Sequence, residues 1–258
     1  MKKSLFTIIL ITNCFTAVFS QELKSINEPV FKVGEQLSYR LKYGIFTGAE
    51  ANLRIEDGEK INGHPTFHIT ADGKTAGTFD IFYKVRNRYE TWVDHKTLLP
   101  YLYQENRREG SWKHTDKVSF DHESGKITAG KGGFQFKGRV FDFVSAYYFA
   151  RNIDISKIKA GDKFDLPYFL DDGIYTLNIT YIGKEAVSCS LGKFNCLKFN
   201  PTIIPGRIFK QNSKLYLWIT DDNNRIPIKA NVGLIVGSVT MDLTDAKGLK
   251  YPLNPINK

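Results

Sequence analysis

Chemistry-bearing residues are sparse in this sequence. The histidines are His64, His68, His95, His114 and His122. His64 and His68 have the four-residue spacing that lets a helix offer two imidazoles to one zinc ion. Asn62-Gly63 is a hairpin signal, which puts the pair on a turn and its exit strand, where four residues span about 13 Å. His122, in Asp121-His122-Glu123-Ser124, reads as a turn between strands. With no cysteine or histidine cluster to join them, neither a metal nor another cofactor is expected. Asp171-Asp172 and Asp221-Asp222 supply the residue type that a glycosidase sets across a cleft. Each pair precedes a turn (Gly173; Asn223-Asn224), where Asp routinely accepts backbone N–H bonds. Gly73-Lys74-Thr75 ends like a phosphate-binding loop, but the first glycine of that loop would fall at His68. No Gly-x-Ser-x-Gly elbow occurs. No catalytic residue is assigned.

Binding chemistry is better represented. Tyr101, Tyr103, Arg107 and Trp112 flank one expected hairpin, where aromatic faces suit sugar rings and a guanidinium suits phosphate. The plainer reading has the tyrosines on a core face and a solvated basic tip. Asp142, Ser145, Tyr148 and Arg151 are spaced by threes, so that on a helix neighbours in the series approximately share a face, drifting about 60° per step. One reading has them ring a small polar pocket where the helix meets the sheet, and the plainer one makes them structural. Asp142 then caps the helix, and Arg151 either ties its far end to strand carbonyls or an acid, or serves as an anion contact. Cys189 and Cys196 flank Gly192-Lys193. Read as a type II′ turn, those two residues set the cysteines opposite each other, within reach of a disulfide. Two reduced cysteines in a strand pair is the other reading.

The elements that must carry these residues are mostly strands. Leu37, Tyr39, Leu41 and Tyr43 alternate with Ser38, Arg40 and Lys42, and Ala51, Leu53 and Ile55 alternate with polar neighbours. Phe67, Ile69 and Ala71 follow the Asn62-Gly63 turn, and alternation runs again from Phe79 to Val93. Further strands are expected near 99–107, 112–121, 125–129, 133–137, 163–169, 174–182, 185–190, 194–199, 213–220, 225–231 and 234–243. Only 142–152 breaks the rhythm: Phe143, Ala146, Tyr147 and Ala150 have helical spacing behind Asp142. A dozen or more antiparallel strands must curl or pack on themselves, giving an all-β fold with one helix: a large rolled sheet or half barrel.

Lys2, Lys3 and the apolar run Leu5–Ile11, extended through Phe15–Phe19, read as a secretory signal over 1–20, with Val18 and Ser20 as the small residues before a cut at Gln21. Asn13 before Cys14 argues against lipidation there. A polar segment over 21–30, one β-rich domain over 31–245 and a loose tail over 246–258 follow. No later segment offers a transmembrane span. The chain has 258 residues, 42% hydrophobic and 24% charged, which excludes long disorder. Its net charge of +9, or +7 without Lys2 and Lys3, favours acidic partners. An exported chain without a nucleic-acid motif makes nucleic acid an unexpected one.

Taken in order, Phe31-x-Val33-Gly34-Glu35-x-Leu37-x-Tyr39, Tyr43-Gly44, Gly48, Asp142-x-x-Ser145-x-x-Tyr148-x-x-Arg151, Gly192-x-Phe194-x-Cys196, Leu217-Trp218-Ile219-x-Asp221-Asp222 and Arg225-Ile226-Pro227 resemble exported bacterial proteins of domain of unknown function 3108 (DUF3108). The resemblance runs from about Phe31 to Leu243. It implies a secreted, rolled or half-open barrel, an architecture shared loosely with envelope lipoproteins and lipoprotein carriers, and it supplies no catalytic residues. The leader and the Gln21 start fit a Gram-negative, Bacteroidota-like source. The expectation is a periplasmic or extracellular, non-catalytic envelope protein binding a small molecule, lipid, glycan or protein partner. The alternative is a carboxylate-dependent enzyme acting on an envelope glycan.

Overall fold

The computed structural model describes residues 25, 26, 28–202, 214–234 and 237–256. The expected leader over 1–20, Cys14 and the cut at Ser20–Gln21 lie outside them. The described chain is one antiparallel sheet with two helices: β1 (Gln36–Tyr43), β2 (Phe46–Asp57), β3 (Thr66–Thr75), α1 (Gly77–Phe82), β4 (Val85–Asp94), β5 (Pro100–Glu109), β6 (Trp112–Asp121), β7 (Lys126–Ala129), β8 (Gly132–Gln135), α2 (Phe143–Arg151), β9 (Lys163–Leu170), β10 (Gly173–Cys189), β11 (Gly192–Pro201), β12 (Leu215–Thr220), β13 (Pro227–Gly233) and β14 (Ser238–Lys247). The strand order is β8-β7-β6-β5-β4-β3-β2-β1-β14-β13-β12-β11-β10-β9. Two meandering arms, β1–β8 and β9–β14, therefore join at the β1–β14 ladder, and β8 and β9 are the free edges.

The edges approach each other without pairing. Phe141 N donates to Pro167 O (3.0 Å) and Phe169 N donates to Phe141 O (2.7 Å), so the link between β8 and α2 lines the β9 edge. The Phe134 and Phe169 rings stand 5.0 Å apart across the gap. This half barrel is the expected rolled sheet.

An up-and-down path sends alternate turns to alternate ends. The chain enters β1 at a proximal end, which also holds the β2–β3, β4–β5, β6–β7, β10–β11 and β12–β13 turns. The distal end holds the β1–β2, β5–β6, β7–β8, β9–β10 and β13–β14 turns, together with α1 between β3 and β4.

The helix expected over 142–152 is α2. Asp142 Oδ1 accepts the Val144 and Ser145 N–H groups at 2.9 Å, and Ser145 Oγ accepts the Asp142 N–H at 3.0 Å, a reciprocal cap. Asp142 Oδ2 accepts from Thr91 Oγ1 at 2.7 Å, which fastens the helix start to β4. Val144, Ala146, Tyr148 and Phe149 are buried in the main core beside Phe31, Ile69, Val93, Leu166 and Leu197.

Four expectations are corrected. First, Phe79, Ile81 and Tyr83 alternate like a strand, but they sit on α1 and its exit, and β4 begins at Val85. Their alternation marks no buried face, since all three are exposed. Gly77 turns the chain at φ 58°, and Asp80 then accepts from Thr75 Oγ1 and Arg86 Nη1, both at 2.6 Å. Second, the strands expected at 174–182 and 185–190 are one strand, β10, with a bulge between Tyr181 and Gly183. The bend carries its second half over β13 and β14, where Val187 and Cys189 join Leu37, Tyr39, Phe194, Cys196, Ile228 and Leu243 in a second core.

Third, Cys189 pairs with Gly192 and Cys196 with Glu185, so the turn is Ser190-Leu191 and the two thiols are free. The expected and observed registers differ by an even step, which leaves the same side chains on the same face, so alternation does not separate them. Fourth, residues 248–256 are not loose. Asn224 Nδ2 donates to Tyr251 O (3.0 Å), Ile256 N donates to Lys193 O (2.6 Å), and Leu249 and Leu253 pack on the second core. The described residues of the polar segment are docked as well: Ser25 bridges Ile153, and Val30 N donates to Asn152 Oδ1 (2.8 Å).

Candidate functional site

A cavity of about 150 Å³ lies between α2 and the inner face of β9–β13. Leu177, Ile179, Phe199, Leu217 and Ile219 form the sheet wall, Phe143, Ala146, Tyr147 and Ala150 the helix wall, and Phe164 and Ile155 the flank. The lining is aliphatic and aromatic except at the proximal side, where Arg151 and Arg225 border it. Such a lining excludes water and accepts apolar chain.

The proximal end is closed by a buried polar knot. Arg151, 2% exposed, donates to both oxygens of Glu35, 0% exposed, at 2.5 and 3.0 Å, and to Asn224 O at 3.0 Å. Arg225 Nη1 donates to Arg151 O and Ile153 O, closing the end of the helix. Burial alone would lower the Arg151 pKa, but the adjacent Glu35 carboxylate outweighs it and holds the guanidinium charged. The hydroxyls of Tyr39, Tyr147 and Tyr148 surround this pair without a well-formed hydrogen bond. Burial pushes Tyr147 up to about 12 and raises Tyr39 and Tyr148 as well, so all three stay neutral. Arg225 is lowered by burial and meets no carboxylate at ion-pair distance among the described residues.

The residues singled out in the sequence divide. Tyr103, Arg107 and Trp112 share the inner face of β5 and β6, since Tyr103 pairs with Val118, Arg107 with His114 and Glu109 with Trp112. Tyr103 is buried and donates to Glu105 Oε2 at 2.8 Å. Arg107 lies over the Trp112 ring at 4.8 Å and reaches Glu109 at 3.0 Å. Tyr101 is apart from them, at the proximal rim beside the His64 ring at 5.5 Å. Arg151 takes its anchoring role, on an acid and a carbonyl. Phe143 stands between strip and cavity: its ring meets Tyr89 at 4.8 Å and Tyr103 at 5.8 Å, and it lines the cavity.

Sequence reasoning missed the cavity wall. Leu177, Ile179, Leu217 and Ile219 were legible as apolar strand positions, but a wall of a void and a wall of a filled core have the same alternation. The acidic pairs do not converge: Asp171-Asp172 sit in the β9–β10 turn at the distal end and Asp221-Asp222 in the β12–β13 turn at the proximal end. A strand of eight residues, about 26 Å, separates those ends. Asp222 Oδ1 caps its turn, accepting from Asn224 N, Arg225 N and Thr220 Oγ1.

The fold and cavity define a class: half-open antiparallel barrels with a helix laid inside. The chain belongs to the protein family of unknown function DUF3108, whose family model matches residues 38–244. Among solved structures, a β-barrel-like protein of domain of unknown function DUF1849 from Brucella abortus aligns at 11% identity over 83% of this chain and 97% of its own, with a TM-score of 0.50. A protein inferred to be exported, with a YmcC-like fold, from Bacteroides fragilis aligns at 12% identity over 87% and 100% of the two chains, TM-score 0.35. An inferred lipoprotein from Parabacteroides distasonis aligns at 10% identity over 86% and 99%, TM-score 0.36. No curated protein matches the sequence.

Proposed function

We propose that this is an exported, non-catalytic cell-envelope protein that shelters an acyl chain of an amphiphile beneath α2, in the periplasm or outside the cell. The observation that carries the reading is the apolar cavity between α2 and β9–β13. A void of about 150 Å³ with aliphatic lining takes a group of roughly benzene size, so it suits the end of one chain rather than a whole lipid. The leader over 1–20, read from the sequence, supports export. Arg107 and Trp112, stacked on the same inner face and partly exposed, are our candidates for touching the polar part. Tyr101 sits apart at the proximal rim beside His64, Tyr103 is held by Glu105 and Arg151 by Glu35.

Binding of dansyl-undecanoic acid tests this. Leu217→Trp, at a half-buried wall position, is expected to weaken that binding by at least about tenfold at unchanged melting temperature. Mass spectrometry of protein purified from its native host is expected to find an acyl-chain compound bound to the wild type and absent from the variant. Equal binding by the two proteins, with nothing co-purifying, would sink the proposal.

A further inference from the structure

The distal end carries an apolar surface that neither core uses. Helix α1 buries none of its residues. Ile81 and Phe82 on α1 are 81% and 82% exposed, and Ile45 and Phe46 at the β1–β2 turn are 88% and 60% exposed. The elements that carry the two groups meet at Gly48. Ala76 N donates to Gly48 O at 3.0 Å, and a Cβ at Gly48 would lie 3.7 Å from the Phe79 ring. Tyr83 extends the apolar surface to the β5–β6 turn, where its ring lies against Gly110 and Trp112 is exposed. Exposed apolar surface of this kind is kept for a partner, because in water it stabilises nothing.

Charge says which partner. Lys74, Arg86, Arg108 and Lys113 stand directly opposite one another across β3, β4, β5 and β6. A row of like charges costs stability. Glu50 answers Lys74 and Asp80 answers Arg86, but Lys84, Arg108 and Lys113 have no carboxylate at ion-pair distance among the described residues. Exposed apolar side chains on a turn and a short helix would need a matching groove on a protein, whereas a bilayer takes them without one.

We propose that the distal end docks on a bilayer bearing anionic phospholipids. Ile45, Phe46, Ile81 and Phe82 enter the boundary between headgroups and acyl chains, Tyr83 and Trp112 lie at headgroup level, and Lys84, Arg108 and Lys113 meet the phosphates. This stands whether or not the cavity holds a chain.

Vesicle flotation tests it. The purified protein is expected to float with vesicles of phosphatidylethanolamine and phosphatidylglycerol, less as salt rises, and far less with phosphatidylcholine vesicles. Ile81→Ser with Phe82→Ser, both on exposed side chains, should cut partitioning by about tenfold or more without moving the melting temperature. Arg108→Glu with Lys113→Glu should cut it by about tenfold on anionic vesicles only. The proposal is overturned if the wild type stays out of anionic vesicles, or if the Ile81→Ser, Phe82→Ser protein floats as well as the wild type. It is also overturned if the wild type sediments as a dimer that Ile81→Ser turns into a monomer, since the surface then belongs to a second copy.

Discussion

At the scale of single residues, the most consequential side chain is Arg151, and its work is structural. Its guanidinium and the Glu35 carboxylate are both buried and meet in a two-pronged contact. Removing one member of such a pair strands a buried charge, which costs about 3–5 kcal/mol, whereas replacing both with apolar groups is close to neutral. Arg151→Met is therefore expected to lower the urea unfolding free energy by about that amount, and Glu35→Leu with Arg151→Met to recover most of it. Arg151→Met at wild-type stability but with dansyl-undecanoic acid binding lost would instead make Arg151 a ligand contact. The sequence showed half of this: the spacing from Asp142 placed Arg151 at the end of a helix in need of an acid or carbonyls. It could not choose Glu35, 116 residues away, because no local pattern links a pre-strand glutamate to a helix end.

At the scale of elements, strands were legible wherever one face is buried, and illegible where an alternating run faces water on both sides. That is why β1, β2, β3 and β6 match their apolar alternation, while Phe79, Ile81 and Tyr83 suggested a strand and form α1 with its exit. The β10–β11 register was beyond the sequence because an even shift preserves every face. The observed register sets Cys196 about 13 Å along β10 from the level of Cys189, outside disulfide reach. Both thiols are therefore expected to be alkylated in unfolded, unreduced protein, and a disulfide found by mass spectrometry would refute the register. Cys196 lies in the second core, where burial, with a smaller push from Cys189, raises its thiol from 9.0 to about 12. The native state thus holds this proton after the unfolded state has released it. Its contribution to stability is complete below pH 9 and is lost as pH rises through about 12. Cys196→Ala should flatten that part of the alkaline stability profile measured by urea unfolding.

At the scale of the whole molecule, the question is whether two arms of a half barrel behave as one unit. The free edges, β8 and β9, would let β1–β8 and β9–β14 part if the β1–β14 ladder were the only seam. It is not, because α2 fastens to both arms. Asp142 binds Thr91 of β4 in the first, and Arg151 binds Asn224 of the β12–β13 turn in the second, while Glu35 joins the same knot from the start of β1. The tail adds a stitch, with Lys250 donating to Pro29 O at 2.8 Å and Ile256 N to Lys193 O at 2.6 Å. Separating the arms would expose the core on both sides of α2, which makes a half-unfolded state costly. The tryptophans report the arms separately. Trp92, stacked on His68 at 4.3 Å, belongs to the first, and Trp218, whose Nε1 donates to Glu185, belongs to the second. Two single-tryptophan proteins, one keeping Trp92 and one keeping Trp218, are expected to show urea transitions that coincide with each other and with the far-ultraviolet circular dichroism of the same samples. Separate midpoints would mean that the arms fold independently and that the helix between them is a linker rather than a keystone.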